Sequence, residues 1–156
     1  MTITSAICNS FKQEILVGTH NFTNSSGNTF KIALYSSNSA TLSKSTTAYT
    51  APADATADPT NTYEVTTTSS GYTGGGNSLT NTTPVLSGDT ACCKFSDTSW
   101  GSSASFTARG CLIYNSSASN KAVCAINFGS DKTVTSGTFT IQFPAQTAGN
   151  AIIQIA

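Results

Sequence analysis

The hydrophobic period of the chain changes once, near residue 30. Over residues 5–17 the apolar positions Ile7, Phe11 and Ile15 recur every four residues, with Cys8 and Leu16 flanking the same stripe. That spacing predicts one amphipathic helix. Ser5 stands where an N-cap belongs, and Gly18 stands where a helix closes in the left-handed conformation. A lone helix of this length is marginal in water. Its stripe must therefore dock on the chain's own sheet or serve as an arm on a neighbouring subunit.

From Phe30 onward the period is two. FKIALY (30–35) places Phe30, Ile32 and Leu34 on one face and Lys31, Ala33 and Tyr35 on the other. ACCKFSD (91–97), SFTARGCLIY (105–114), KAVCAINF (121–128), TFTIQF (138–143) and AIIQIA (151–156) read as further strands. Asn115-Ser116-Ser117, Gly129-Ser130-Asp131-Lys132 and the stretch from Pro144 to Asn150 supply turn chemistry between them. The gaps, about seven to ten residues, are too short for crossover helices, so the strands are expected to be antiparallel. The expected fold is mainly β, an antiparallel β-sandwich or jelly-roll-like barrel over residues 30–156 with one N-terminal α-helix.

Residues 36–77 loosen this pattern. They hold two of the four prolines and few large apolar residues, and they read as a long irregular loop around 36–62. A short strand is expected near Tyr63–Thr67. SGYTGGGNSL then permits a tight or bulged turn before a strand running to Leu86. Loops this long usually carry function or touch a partner. No fixed-period repeat is present, which argues against a solenoid or propeller. At 156 residues the chain is expected to form a single domain, 1–156.

Composition changes the picture in one respect. Only 9% of the residues are charged, and seven basic residues balance seven acidic ones. Nucleic acid and anionic membranes are therefore not expected partners. Serine and threonine make up about a third of the chain and supply the polarity instead. With little self-repulsion, a homo-oligomer or larger assembly is expected. No run reaches the roughly 20 apolar residues that a membrane-spanning helix needs. MTITSAICNSFKQEIL lacks a basic stretch followed by a continuous apolar one, so synthesis and folding in a cytoplasm are expected. The four N-x-S/T sequons, at Asn21, Asn24, Asn81 and Asn115, then reflect composition alone.

The search for chemistry yields no catalytic constellation. His20 is the single histidine and stands in a turn context, GTHNF, with no signature nucleophile beside it. The carboxylates Glu14, Asp54, Asp58, Glu64, Asp89, Asp97 and Asp131 are scattered, and none forms a recognisable glycosidase pair or calcium loop. The five cysteines, Cys8, Cys92, Cys93, Cys111 and Cys124, lack zinc or redox spacing. They are read as buried free thiols, with one disulfide as the alternative. GYTGGG lacks both the lysine ending of a P-loop and a following helix. Arg109, the one arginine, lies mid-strand and calls for a cross-strand or inter-subunit ion pair, with Glu64 or Asp97 as candidate partners. Trp100 reads as a core or interface anchor. No enzyme activity, cofactor or metal is expected. The expected contact residues are Phe11, Ile15, His20, Tyr49, Tyr63, Trp100 and Arg109.

Several segments together resemble a recurrent family of small virion proteins of tailed bacteriophages. They are the N-terminal helix ending in GTHNF, TFKIALYSSNSATLSKSTTAY, EVTTTSSGYTGGGNSLT, FSDTSWGSSASFTARGCLIYNSSASNKAVCAINFG and DKTVTSGTFTIQFPAQTAGNAIIQIA. The FKIALY, GYTGGG, TARGCLIYN and FPA…AIIQIA pieces are the most specific. PADATADPTN before Tyr63 and the Cys92-Cys93 pair depart from the pattern. The resemblance implies a capsid decoration (cement) protein on the outside of the virion, made in the host cytoplasm. Its partners would be the major capsid protein and further copies of itself, as a trimer. A tail, baseplate or fibre-associated protein is the alternative. A carbohydrate-binding or receptor-binding role for Trp100, Tyr72 and Tyr114 is a third reading.

Overall fold

A computed structural model describes residues 3–36, 41–50, 63–65, 67 and 69–156. Among them the elements run β1 (Ala6–Ile7), α1 (Asn9–Leu16), β2 (Phe30–Tyr35), β3 (Asn77–Leu79), β4 (Val85–Ser87), β5 (Thr90–Cys93), β6 (Thr98–Asn115), β7 (Lys121–Ile141) and β8 (Ile153–Ile155). They form two antiparallel sheets, ordered β1-β7-β6-β2-β3 and β4-β5-β8. This is the expected β-sandwich with one short helix near its start, and the sheets do not close into a barrel.

The spine is the pairing of β6 with β7, which runs from Thr98↔Ile141 to Asn115↔Lys121. β2 lies along the inner half of β6, from Phe30↔Asn115 to Tyr35↔Gly110. The register puts Phe30, Ile32 and Leu34 on one face with Cys111, Ile113 and Cys124. That face meets Cys93 and Ile153 from the small sheet and Phe95 just beyond β5, and all nine residues are buried. Phe30 stacks on Phe22 at 4.3 Å between ring centres and tilts against Phe95 at 5.5 Å. The opposite face of β2 is covered too. Ala33 and Tyr35 lie under Tyr49, Val65 and Tyr72, which come from segments outside the regular strands.

Four sequence expectations need correction. The helix starts at Asn9 rather than residue 5. Ala6 and Ile7 instead pair with Ala125 and Cys124, because the edge of β7 offers those amides and carbonyls partners. Ser5 accepts a hydrogen bond from the Asn127 amide, and the N-cap position falls to Cys8, which makes no side-chain cap. Gly18 does close the helix, at φ +73.

Residues 121–128 and 138–143 are not two strands joined by a turn. The Gly129–Lys132 stretch stays inside one strand as a bulge. Between the pairs Gly110↔Asn127 and Ala108↔Lys132, residues 128–131 stand opposite Arg109 alone. Gly129 takes φ +79, and its amide is capped by the Asn127 side chain.

The strand expected to reach Leu86 is two strands, β3 and β4, in different sheets. The strand expected near Tyr63–Thr67 reduces to a bridge between Glu64 and Tyr35. Much of the loop expected around 36–62 lies outside the described residues.

Gly76 shows how tightly the GYTGGG turn is pressed on β2. It adopts φ +71, and a Cβ there would overlap the Ile32 carbonyl. Gly76→Ala is expected to abolish cooperative folding or lower Tm steeply. Gly129→Ala, equally left-handed but with nothing within 4 Å, should cost only about 1–2 kcal/mol. Thermal unfolding of the two variants side by side checks the contrast.

Candidate interaction surface

The chain has few charges, and among the described residues two carboxylates, Glu14 and Glu64, are buried. Glu64 accepts hydrogen bonds from Tyr49 Oη at 3.0 Å, Tyr72 Oη at 2.7 Å and the Gly75 amide at 2.7 Å. Tyr72 Oη also accepts the Leu34 amide at 3.0 Å, and Tyr114 Oη donates to the Gly75 carbonyl at 2.8 Å. Burial, and after it the Glu64 charge, pushes the Tyr49 and Tyr72 hydroxyls well above their ordinary range. They stay protonated as donors. One carboxylate thus ties three irregular segments to the outer face of β2.

Glu14 does the same for the helix. Its oxygens take Lys121 Nζ at 2.7 Å and His20 Nε2 at 2.8 Å. The Asn115 amide group faces His20 Nδ1 at 3.0 Å, while Asn115 Oδ1 accepts the Ser117 amide. Nδ1 is therefore the acceptor, and Nε2–H donates to Glu14. Burial alone would raise the Glu14 carboxyl. The hydrogen bonds of Lys121 and His20, with the Lys121 charge, outweigh it and hold the group below its usual range. His20 is thus a positioned structural group between α1 and β6.

The five cysteines are buried free thiols. Burial pushes Cys93 up to about 12, and burial with the nearby Glu14 charge pushes Cys8 up to about 11. Neutral thiols of this kind are poor nucleophiles and poor metal ligands.

Of the residues expected to grip a partner, Phe11, His20, Tyr49 and Trp100 are buried within the chain itself. Trp100 packs on Tyr72, Phe106 and Phe139. With Tyr72 and Tyr114 also buried, these three rings have no free face for a sugar to stack on. Ile15, Tyr63 and Arg109 remain partly accessible. Arg109 pairs with Asp131 at 3.6 Å, not with Glu64 or Asp97. Glu64 serves tyrosines and a backbone amide, and Asp97 accepts the Phe143 amide at 2.9 Å. The Arg109–Asp131 pair is half-exposed and contributes little to stability.

The conspicuous surface lies elsewhere. Leu16 and Val17, at the end of α1, are 85% and 73% exposed, and Ile155 is 56% exposed. Leu16 and Ile155 flank an open groove of about 390 Å³, floored by Phe11, Ile15 and Ile153 and rimmed by Lys12. Leu86, 77% exposed, lies in the same cross-strand row as Ala91 and Ile155. Clustered exposed apolar residues of this size mark interaction sites. The sequence carried a faint signal for them: adjacent Leu16 and Val17 cannot both point along one helical stripe.

The chain matches no protein-family model, curated protein or solved structure.

Glu64→Gln places an amide donor against donors and is expected to cost about 1–3 kcal/mol in urea unfolding. Tyr49→Phe, which removes the donor itself, should cost less. The lowered Glu14 carboxyl contributes stability above its unfolded value, near 4.5. That contribution disappears as pH falls through the lower folded value. Glu14→Gln should therefore be less stable than the wild type near neutrality and show a flatter acid limb in Tm against pH.

Proposed function

We propose that this protein is a bacteriophage capsid decoration (cement) protein, a structural component and not an enzyme. It binds the outside of the major capsid protein shell, as a homo-oligomer with trimers at local three-fold positions, and stabilises the virion. The observation that carries this reading is the apolar cluster of Leu16, Val17 and Ile155, with 85%, 73% and 56% of their surfaces open to solvent. A surface so poor in charge gains little by exposing them, and burial in an assembly returns roughly 25 cal/mol per Å² of apolar area. The virion resemblance of the sequence supplies the identity of the shell, and the trimer rests on that resemblance alone. In the same reading the chain is made in the host cytoplasm and reaches the capsid exterior by assembly.

Quantitative mass spectrometry and cryo-microscopy of the particle test the assignment. Copies in proportion to capsomeres on the head are expected. A few copies confined to the tail, baseplate or fibres would replace the decoration role with the tail-associated one. Leu16→Gln with Val17→Thr alters exposed side chains, so the unfolding free energy should hold within about 0.5 kcal/mol of the wild type. Affinity for undecorated heads should fall at least ten-fold in a co-sedimentation assay.

A further inference from the structure

The bulge in β7 lies beside a second concavity. A cavity of about 450 Å³ is walled by Ile126 and Phe128 from before the bulge and Phe139 and Ile141 from after it. Phe143 and Ile152, from the segment beyond β7, complete the wall. Its volume falls within the roughly 300–1,000 Å³ of small-molecule sites. The fully buried Cys111 also lines it, so it reaches the core of the sheet.

The polar groups at this cavity are few. Lys132 re-enters the β-ladder after the bulge and lines the cavity, with Thr140 and Gln142 as the other polar side chains. Its neighbour Asp131 is taken by Arg109. Among the described residues no carboxylate lies within ion-pair distance of the Lys132 ammonium. A lone cation beside an apolar cavity complements a ligand that is apolar along its length and anionic at one end.

We propose that this cavity binds a small carboxylate amphiphile of the medium-chain fatty acid class. Its alkyl chain lies among Ile126, Phe128, Phe139 and Ile152, and its carboxylate meets Lys132. A protein segment is the less favoured occupant, because one lysine in an otherwise apolar lining complements a single carboxylate on an alkyl chain.

Isothermal titration of the full chain with dodecanoate, kept below its micellar concentration, tests the site. Saturable one-to-one binding is expected, with a change in the emission of Trp100. This is the chain's single tryptophan, and it packs edge-on against Phe139 at 5.9 Å. Dodecyltrimethylammonium should not bind. Lys132→Glu should weaken dodecanoate binding about ten-fold or more, and Ile152→Phe should block it, with Tm of both variants confirming the fold. Absence of saturable dodecanoate binding overturns the proposal, as does equal binding of both amphiphiles that Lys132→Glu leaves unchanged. Saturable binding of an alternating valine–threonine peptide that dodecanoate fails to displace also overturns it, assigning the cavity to a protein partner.

Discussion

The larger sheet of this protein is fastened to one long backbone ladder, β6 against β7. β2 pairs with β6, β1 with β7, and β3 with β2. The ladder imposes a strict accounting on its neighbours, because each buried amide and carbonyl needs a partner. Where the pairing would leave groups unmet, the chain supplies them locally. Ala6 and Ile7 straighten into a strand against Cys124 and Ala125, and the Ser5 and Asn127 side chains finish that edge. Gly110 lets β7 and Ile3 press on β6 where a Cβ would collide with the Ile126 carbonyl. Even the interruption at Gly129 is absorbed as a bulge, and the cavity lined by Lys132 lies beside it.

The ladder alone would leave the outer face of β2 covered by irregular chain with no sheet hydrogen bonds. Two buried carboxylates resolve this. Glu64 gathers Tyr49, Tyr72 and the Gly75 amide over β2, and Glu14 gathers Lys121 and His20 between the helix and the sheet. In a chain with so few charges, burying two of them is justified only by full hydrogen bonding, since a buried unpaired charge is among the most destabilising features a fold can carry. Their role is to hold loops in place, which explains why the titratable groups that stand out in the sequence end up as fasteners.

With buried carboxylates serving as fasteners and a surface rich in hydroxyls, the described residues leave Leu16, Val17, Leu86 and Ile155 as their most exposed large apolar side chains. The Leu16, Val17 and Ile155 cluster is open and shallow, suited to the surface of another protein. The cavity behind the β7 bulge is likewise apolar, with Lys132 in its lining as Lys12 is in that of the groove.

The sequence by itself determined the β class, the antiparallel order, the front helix and FKIALY as a strand, because side-chain period and turn spacing are local properties. It also marked Gly18 correctly, since only the left-handed region suits that position. The tertiary structure decided the rest. Residues 6–7 have no strand signal of their own and became one because an edge was free beside them. Gly129-Ser130-Asp131-Lys132 has turn chemistry, yet its flanks were held by β6 and it became a bulge. Phe11, His20, Tyr49 and Trp100 look like contact residues in a linear reading. They proved to be core, because a ring's burial depends on what the chain folds over it. Leu16 looked like core and stands in solvent because α1 ends before anything covers it. Which carboxylate meets which partner was equally illegible: Glu14 and Lys121 are 107 residues apart, and only the closing of the sheet brings them together.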